Sequence, residues 1–260
     1  MIPTDEKPIY IASKGGAQAQ LNISAGFEDY LVTIHDARQQ KISAKLDREG
    51  FTFRSQHTQV DDFYALDDWQ VIYETELSRL VLETTGASEL LVFDHTLRSN
   101  SSGTRGEHDS KEPATVIHND YTDASAVKRL RDLLPANEAE RRMRSRFAMI
   151  NVWRSIRSPV EQSPLALCDA RTVADQDLVT AERRAADRIG ELQLVNWNPK
   201  HHWSYYPLLN KDEALLIKTF DSALDGRAHR AIHTAFHNPS APQNVVPRES
   251  IESRMLVFYE

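Results

Sequence analysis

The sequence predicts a mainly β protein with added helices, built as a β-barrel or a two-sheet jelly roll. Two observations favour this fold class. From residue 146 onward, short strand-like segments follow one another and are separated by turns. Before that point, strand-like segments alternate with helical patterns, as in an α/β opening. With 260 residues, 40% of them hydrophobic, the chain is long enough for a single large domain.

Residues 1–97 read as an α/β extension packed on the core. "YLVTIHDAR" (30–38) has the β-branched and aromatic content of a strand, and "FTFRSQ" forms a second strand after a turn at Gly50. "ELLVFDHTLR" (89–98) predicts a third strand, which its apolar content indicates is buried.

A helix is expected within residues 62–86, where apolar residues recur at spacings of three and four. Asp67 or Asp68 is the expected N-cap, and Gly86 marks the C-terminal end.

The segment 98–113, "RSNSSGTRGEHDSKEP", is polar and has no periodicity. It predicts a flexible loop, which is either a solvated connector or a lid over a site. Two helical segments follow it and are broken at Pro135. Asp123 or Ser125 is the expected cap of the first.

Residues 114–260 supply most of the predicted strands and form the expected core of the domain. One stretch in this region, "QDLVTAERRAADRI", reads instead as a helix. The strand-like segments are "RFAMINVWRSI", "SPLALCDART", "LQLVNWNP", "HWSYYPLL", "EALLIKTFDS" and "SRMLVFYE".

Composition argues against several classes of partner. The formal net charge is -7 and no basic run is flanked by aromatic residues, so no nucleic-acid partner is expected. Cys168, the single cysteine, reads as a small buried residue rather than a nucleophile, and one cysteine fits a reducing compartment. No apolar run approaches the roughly 20 residues of a membrane helix, and no secretory signal is seen. We therefore expect a cytoplasmic protein with no membrane partner.

"TVIHNDYTDAS" (115–125) places His118 and Asp120 at the end of a strand-like run. Residues two apart in a strand point to the same face, so these two side chains are expected side by side. Such a pair alone is more often a hydrogen-bonded pair than a metal site. A distant histidine would change its meaning, because two histidines and one carboxylate form the facial triad of non-haem Fe(II) oxygenases.

The C-terminal region contains a candidate histidine and two arginines. His233 lies in "HTAF", and Arg248 and Arg254 follow it, with Ser250 in an Arg-x-Ser pattern. The two arginines are an even number of residues apart, so both can face one side if the last strand begins early enough. A 2-oxo acid bound to the metal of a facial triad would leave its far carboxylate free, and the planar guanidinium of arginine suits that carboxylate.

The residues alone leave two assignments open. His201 and His202, in "PKHHWSYYP", also lie near a strand start and are alternatives for the third metal ligand. Asn151, in "INVWR", has an amide that could contact the co-substrate, or it is a buried amide satisfied by the backbone.

"VIHNDYT", "IKTFDS", "HTAFHNP" and "PRESIESR" together resemble the secondary-metabolite oxygenases of fungi and bacteria, the cephamycin hydroxylase and novofumigatonin endoperoxidase-like family. "IHDAR", "LDREGFTF" and "VFDHTLR" are similar as well, so the resemblance spans almost the whole chain. Members are Fe(II)/2-oxoglutarate-dependent oxygenases with a double-stranded β-helix core of the jelly-roll, cupin-like type.

The resemblance implies the site and its cofactors. His118, Asp120 and His233 would hold Fe(II), and Arg248, Arg254 or both would bind 2-oxoglutarate, with dioxygen as the third reactant. Ser250 and Asn151 are the additional co-substrate candidates.

The implied activity is oxidation of a C–H bond of a small secondary metabolite, by hydroxylation, desaturation or cyclisation/peroxidation. A homodimer is also implied. The alternatives are a metal-independent β-barrel isomerase and a small-metabolite binding partner of another oxygenase.

Overall fold

Two β-sheets form the body of the molecule in the computed structural model, which describes residues 6–65, 69–157, 159–186 and 188–260. Short strands dominate, and four α-helices lie among the described residues, so the prediction of a mainly β protein with added helices is confirmed. The strands are β1 (Ile9–Ile11), β2 (Asn22–Ile23), β3 (Ile34–Asp36), β4 (Phe51–Ser55), β5 (Glu89–Ser99), β6 (His118–Asn119), β7 (Phe147–Ser155), β8 (Leu165–Cys168), β9 (Leu178–Arg184), β10 (Ile189–Val195), β11 (Trp203–Tyr205), β12 (Glu213–Asp221), β13 (His233–Ala235) and β14 (Glu249–Phe258). The helices are α1 (Trp69–Thr85), α2 (Ser102–His108), α3 (Asp123–Leu133) and α4 (Ala136–Arg142), and 3-10 turns lie at Ala37–Gln39, Ala170–Thr172 and Asp175–Asp177.

The five-stranded sheet, in the order β4-β12-β7-β14-β5, is antiparallel throughout. Alternate residues of β7 face opposite sides of it. Ile150 and Val152 pack with Tyr73 of α1 on the outer side. Trp153 packs with Leu167 of the other sheet on the inner side. The inner side therefore faces the second sheet.

The nine-stranded sheet has the order β2-β1-β9-β10-β6-β13-β8-β11-β3. Its central strands are short: β6 pairs antiparallel with β10 on one side and with β13 on the other. His233 of β13 lies directly opposite His118 of β6 in this register. The sheet pairing therefore brings together two residues that are far apart in the sequence.

Strands from the region 1–97 join both sheets: β1 pairs with β9, β4 with β12 and β5 with β14. The division into an extension (1–97), a loop (98–113) and a core (114–260) of one domain stays a prediction.

Among the described residues, every helix is too short or too polar to cross a bilayer.

Helix α1 ends as predicted. Gly86 adopts a left-handed φ of 69°, and its N–H donates to the carbonyl of Leu82 at 2.9 Å, which closes the last turn. The expected N-caps Asp67 and Asp68 lie outside the described residues.

The cap of α3 is Thr122 rather than Asp123 or Ser125. Thr122 has an extended backbone, and its hydroxyl accepts from the N–H of Ser125 at 3.0 Å. The Ser125 hydroxyl in turn accepts from the Thr122 N–H at 2.9 Å, which completes a capping box. Asp123 is already helical. The break before α4 occurs at Pro135, as predicted.

Three further predictions differ from the structure. The region 98–113 is not a featureless loop, because Ser101 caps the helix α2 by accepting from the N–H of Thr104 at 3.2 Å. The stretch "QDLVTAERRAADRI" is the strand β9 and the start of β10, because β9 pairs along its whole length with β10. β5 is an edge strand and mostly half-buried, not fully buried.

A buried ion cluster joins β12 to the start of β7. The Asp221 carboxylate, fully buried, accepts from Lys218 at 2.8 Å and from Arg146 at 2.6 and 3.0 Å. Burial acts to raise the pKa of Asp221, but the bonds from Arg146 and Lys218 outweigh it and hold the pKa below its usual range.

Replacing Asp221 by Asn should lower the free energy of unfolding at neutral pH by about 2–3 kcal/mol, because the buried Lys218 loses one of its two carboxylates and keeps only the exposed Asp47, at 2.7 Å. The folded-state pKa of Asp221 lies below the unfolded value of about 3.9, so its contribution is present above that pH and is lost as the pH falls through the folded pKa. Urea titrations at pH 7 and pH 3 should therefore show the difference between wild type and D221N shrinking in acid. The exposed Glu140, changed to Gln, is the matched control and should cost about 0–1 kcal/mol; equal losses in both variants would contradict this account.

Candidate metal centre

The imidazoles of His118 and His233 stand next to each other with ring centroids 4.6 Å apart. The Nδ1 of His118 lies 2.8 Å from the carbonyl of Val116, and the Nδ1 of His233 lies 3.3 Å from the carbonyl of Ala231. A carbonyl only accepts, so each Nδ1 is the protonated nitrogen. Each Nε2 is therefore left with its lone pair available for a metal.

Asp120 completes the group. It follows β6 directly, and its Oδ1 lies 3.4 Å from the Nε2 of His118. One donor atom from each of His118, Asp120 and His233 lies within 4.8 Å of the other two. The geometry therefore brings together all three residues for which the sequence predicted a metal site.

The second oxygen of Asp120 is held by the opposite sheet. Oδ2 accepts from the amide of Asn151 at 2.7 Å and from the Nε of Arg254 at 3.0 Å. Burial acts to raise the pKa of Asp120, but the Arg254 guanidinium outweighs it and holds the pKa well below the usual range. The carboxylate is thus ionised at neutral pH and oriented with Oδ1 toward the histidines.

The donor set fits a divalent cation of the first transition row. Burial, and then the nearby His118, lower the pKa of His233, so its imidazole is neutral at pH 7. Two imidazole nitrogens and one carboxylate oxygen are the ligands of a 2-His-1-carboxylate site, which leaves open positions for other ligands.

Arg254 is fully engaged by protein groups. Besides Asp120, it donates to Asp94 at 2.6 Å, to Thr96 at 3.0 Å and to Glu252 at 2.7 Å. Three carboxylates therefore surround one guanidinium, and these contacts favour a role in fixing Asp120.

Arg248 is the contrasting case. Only 3% of it is exposed, yet no carboxylate lies within 4.0 Å of it among the described residues. Its Nε donates to Ser250 at 3.1 Å, and its Nη1 to the carbonyl of Ser163 at 2.5 Å. The guanidinium carbon lies 5.1 Å from the ring centroid of Trp153. Burial, and then the positive Arg98, lower the pKa of Arg248 to about 9. The more distant Glu252 offsets this effect only in part. A buried cation with no carboxylate in contact is costly, so this site fits an added carboxylate.

Several known proteins are similar to this chain. A sequence-family model described as "Oxidoreductase/YMDC permease-like domain" matches residues 1–258. Hydroxylase/desaturase CTB9 of Cercospora beticola is 33% identical over 90% of this chain and 78% of that protein. Fe(II)/2-oxoglutarate-dependent dioxygenase nvfI of Aspergillus novofumigatus (strain IBT 16806) is 32% identical over 98% of this chain and 92% of that protein. The solved structure of iron and alpha-ketoglutarate-dependent endoperoxidase NvfI matches with a TM-score of 0.83 and 30% identity, over 98% of this chain and 95% of that chain.

The chain belongs to the Fe(II)/2-oxoglutarate-dependent dioxygenases. The two sheets are accordingly the walls of a double-stranded β-helix, and the predicted jelly-roll core is confirmed. The predicted cofactors, Fe(II) and 2-oxoglutarate, are confirmed at the level of the family. The dioxygenase is an oxidoreductase, as predicted.

Glu252 is a residue of the centre that the sequence analysis missed. It is 5% exposed, accepts from Asn151 at 2.8 Å, and its Oε1 lies 4.0 Å from the Nε2 of His233. The alternation along β14 contained the signal, because Glu252 lies between Ser250 and Arg254 on the same inward face.

The alternative histidines lie in other surroundings. The Nε2 of His201 is 3.1 Å from a carboxylate oxygen of Asp177. His202 stacks on His35 with ring centroids 4.4 Å apart. Neither is part of the group of three donors that the dioxygenase forms within the described residues.

Cys168 is fully buried in the dioxygenase, and burial raises the pKa of its thiol to about 12. We expect Ellman's reagent to leave the native protein unmodified at pH 8 and to release one thiol equivalent only in denaturant, because the reactive thiolate is neither formed nor accessible. Stoichiometric reaction of the native protein would contradict this structural role.

Proposed function

We propose that this chain oxidises a C–H bond of a small secondary metabolite, with Fe(II) held by His118, Asp120 and His233. The convergence of these three donors on one point carries the proposal. The names of the relatives support the type of outcome: one is a hydroxylase/desaturase and another an endoperoxidase. Hydroxylation, desaturation and cyclisation/peroxidation are the three outcomes within this proposal.

Iron, when bound, supplies oxygen activation coupled to decarboxylation of 2-oxoglutarate. The protein contributes the arrangement around it. The carbonyls of Val116 and Ala231 fix the orientation of the two imidazoles, and Arg254 with Asn151 fixes the carboxylate of Asp120. A metal ligand held by such outer contacts keeps its geometry between turnovers.

2-Oxoglutarate is assigned to Arg248 and Ser250. Arg248 lines a narrow cavity together with His118 and His233, so a carboxylate bound to its fork would lie close to the metal ligands. Trp153 and Leu165 line the same cavity and would exclude water from the co-substrate. The prediction that Arg254 also binds 2-oxoglutarate stays open, but its three carboxylate contacts favour Arg248.

Two further assignments belong to this proposal. A single buried cysteine supports a cytoplasmic, reducing location. The family resemblance supports a homodimer. The metal-independent alternatives receive no support from the geometry, because a carrier or isomerase does not require two oriented imidazoles beside an ionised carboxylate.

Changing Asp120 or His233 to Ala should abolish succinate release from 2-oxoglutarate and weaken anaerobic Fe(II) binding, because each removes one of three ligands. The exposed His202, changed to Ala, is the matched control and should retain both. Succinate release that persisted in D120A, or disappeared in H202A with Asp120 intact, would remove the basis of the assignment.

Changing Arg248 to Lys or Met should weaken the binding of 2-oxoglutarate and leave the binding of the metal unchanged. Losing one side of a buried charge pair costs about 2–5 kcal/mol, so the KM for 2-oxoglutarate of R248M should rise by roughly 30-fold or more. R254K should instead weaken Fe(II) binding, because it loosens Asp120. Steady-state kinetics at varied 2-oxoglutarate concentration, together with Fe(II) titrations of both variants, decide between the two arginines. A raised KM for 2-oxoglutarate in R254K and weaker Fe(II) binding in R248M would assign the co-substrate to Arg254.

A further inference from the structure

A second cavity shares His118 with the narrow cavity around Arg248, but Arg248 does not line it. Asp120 also lines this second cavity, so anything bound there lies beside the proposed metal ligands. Cations from separate elements line it as well: Lys111 follows α2, Arg183 is in β9 and Arg188 directly precedes β10.

Lys111, Arg183 and Arg188 form a cationic cluster on the wall of this cavity. Each is half-buried, and no carboxylate lies within 4.0 Å of any of them among the residues that the structure describes. Exposed cations such as Lys14, Lys41 and Arg79 also have no carboxylate within 4.0 Å but are solvated, whereas the three cluster residues are half-buried and line one cavity. The cluster is therefore an exception that needs a physical reason.

The carboxylates lining the same cavity, among them Asp94 and Asp120, offset this positive charge only in part, because most of them are bound to other cations. Asp94 and Asp120 are bound to Arg254 at 2.6 and 3.0 Å. Of the others, Asp132 is bound to Lys128 at 2.7 Å and Glu191 to Lys7 at 2.5 Å.

Glu112 is the remaining carboxylate, and its Oε2 is buried without a hydrogen-bond partner. Arg129 lies over the ring of Phe93 at 4.9 Å and adds further positive charge. Positive charge is thus in excess in the cavity.

The cations also crowd one another. Burial, and then the nearby Arg98 and Arg183, lower the pKa of Lys111. Burial, and then Arg254 and Arg188, lower the pKa of Arg183. Like charges held together in a partly buried site raise the free energy of the folded protein, and an anionic ligand would remove that cost.

We propose that Lys111, Arg183 and Arg188 bind a carboxylate group of the organic substrate. This inference rests on the proposed function, because it places the substrate beside His118 and Asp120. The co-substrate carboxylate has its own unpaired partner in Arg248, on the other cavity. A planar guanidinium with an adjacent ammonium suits a carboxylate.

The rest of the cavity indicates the body of the substrate. Tyr10, Phe93 and Tyr121 line it, so an aromatic or unsaturated ring system can pack on their side chains. An aromatic carboxylic acid is therefore the simplest probe of the site, and benzoate with its neutral analogue benzamide is the matched pair.

Stability provides the first measurement. Lys111→Met and Arg183→Met keep most of the aliphatic side chain and remove a crowded charge, so neither variant should melt at a lower temperature than wild type. Arg146→Met, which removes a partner of the buried Asp221, should melt well below wild type and serves as the contrast. A clear loss of stability in K111M and R183M would show that these cations have structural partners, and would overturn the proposal.

Binding provides the second measurement. The enzyme is loaded with Mn(II) and saturated with 2-oxoglutarate, and paramagnetic broadening of benzoate and benzamide protons is recorded. The proton signals of benzoate should broaden and those of benzamide should not. Each of K111M and R183M should lower the affinity for benzoate by roughly tenfold or more. R131M, at an exposed ion pair, should bind benzoate as wild type does.

The remaining outcomes separate this inference from the proposed function. Equal broadening of both probes, broadening of neither, or preference for phenyl phosphate over benzoate would overturn the carboxylate assignment. Weaker 2-oxoglutarate binding in R183M with benzoate unchanged would assign the cluster to the co-substrate and also overturn it. Failure of wild type to bind Mn(II) at all would instead count against the metal centre.

Discussion

The two oxygens of the Asp120 carboxylate have different partners, and the rest of the centre depends on this constraint. Oδ1 faces the two histidines of the nine-stranded sheet, and Oδ2 is bound by Arg254 and Asn151 of the five-stranded sheet. One carboxylate therefore connects the two walls of the double-stranded β-helix. Because both oxygens are committed, the side chain has little freedom to rotate, and the donor set is organised by the protein itself.

A polar cluster of this size between two sheets is tolerable because almost every member has a partner. Arg254 neutralises Asp120, Asp94 and Glu252, and Asn151 bridges Asp120 to Glu252. Apolar clusters surround it, one of them joining α1 to the outer side of the five-stranded sheet. Among the described residues, three buried or half-buried cations near the centre then stand out because no carboxylate lies within 4.0 Å of them: Arg248 on one side, and Lys111 with Arg183 on the other. This arrangement supports the proposals that they bind ligands.

The strands of the core were predictable because their patterns are strong. β7, β12 and β14 are long and almost fully buried, and their apolar content determines the assignment with little help from context. β9 was not predictable, since "LVTAERR" carries charged residues with good helix propensity. It is a strand because β10 and β1 supply ladder hydrogen bonds on both sides. The cap of α3 was misassigned for a local reason: Thr122, Asp123 and Ser125 can all cap a helix, and only the backbone angles distinguish them.

By itself, the sequence determined the candidate residues: the His118–Asp120 spacing, a late histidine in His233 and two arginines, Arg248 and Arg254, near the last strand. It also contained the family resemblance that indicated iron and 2-oxoglutarate. Only the tertiary structure decided which arginine has a carboxylate partner among the described residues, because Asp94 of β5, Asp120 after β6 and Glu252 of β14 meet around Arg254 and not around Arg248. The same holds for the cluster of Lys111, Arg183 and Arg188. Charge pairing is a property of distances between elements remote in the chain, and spacing along one strand carries no information about it.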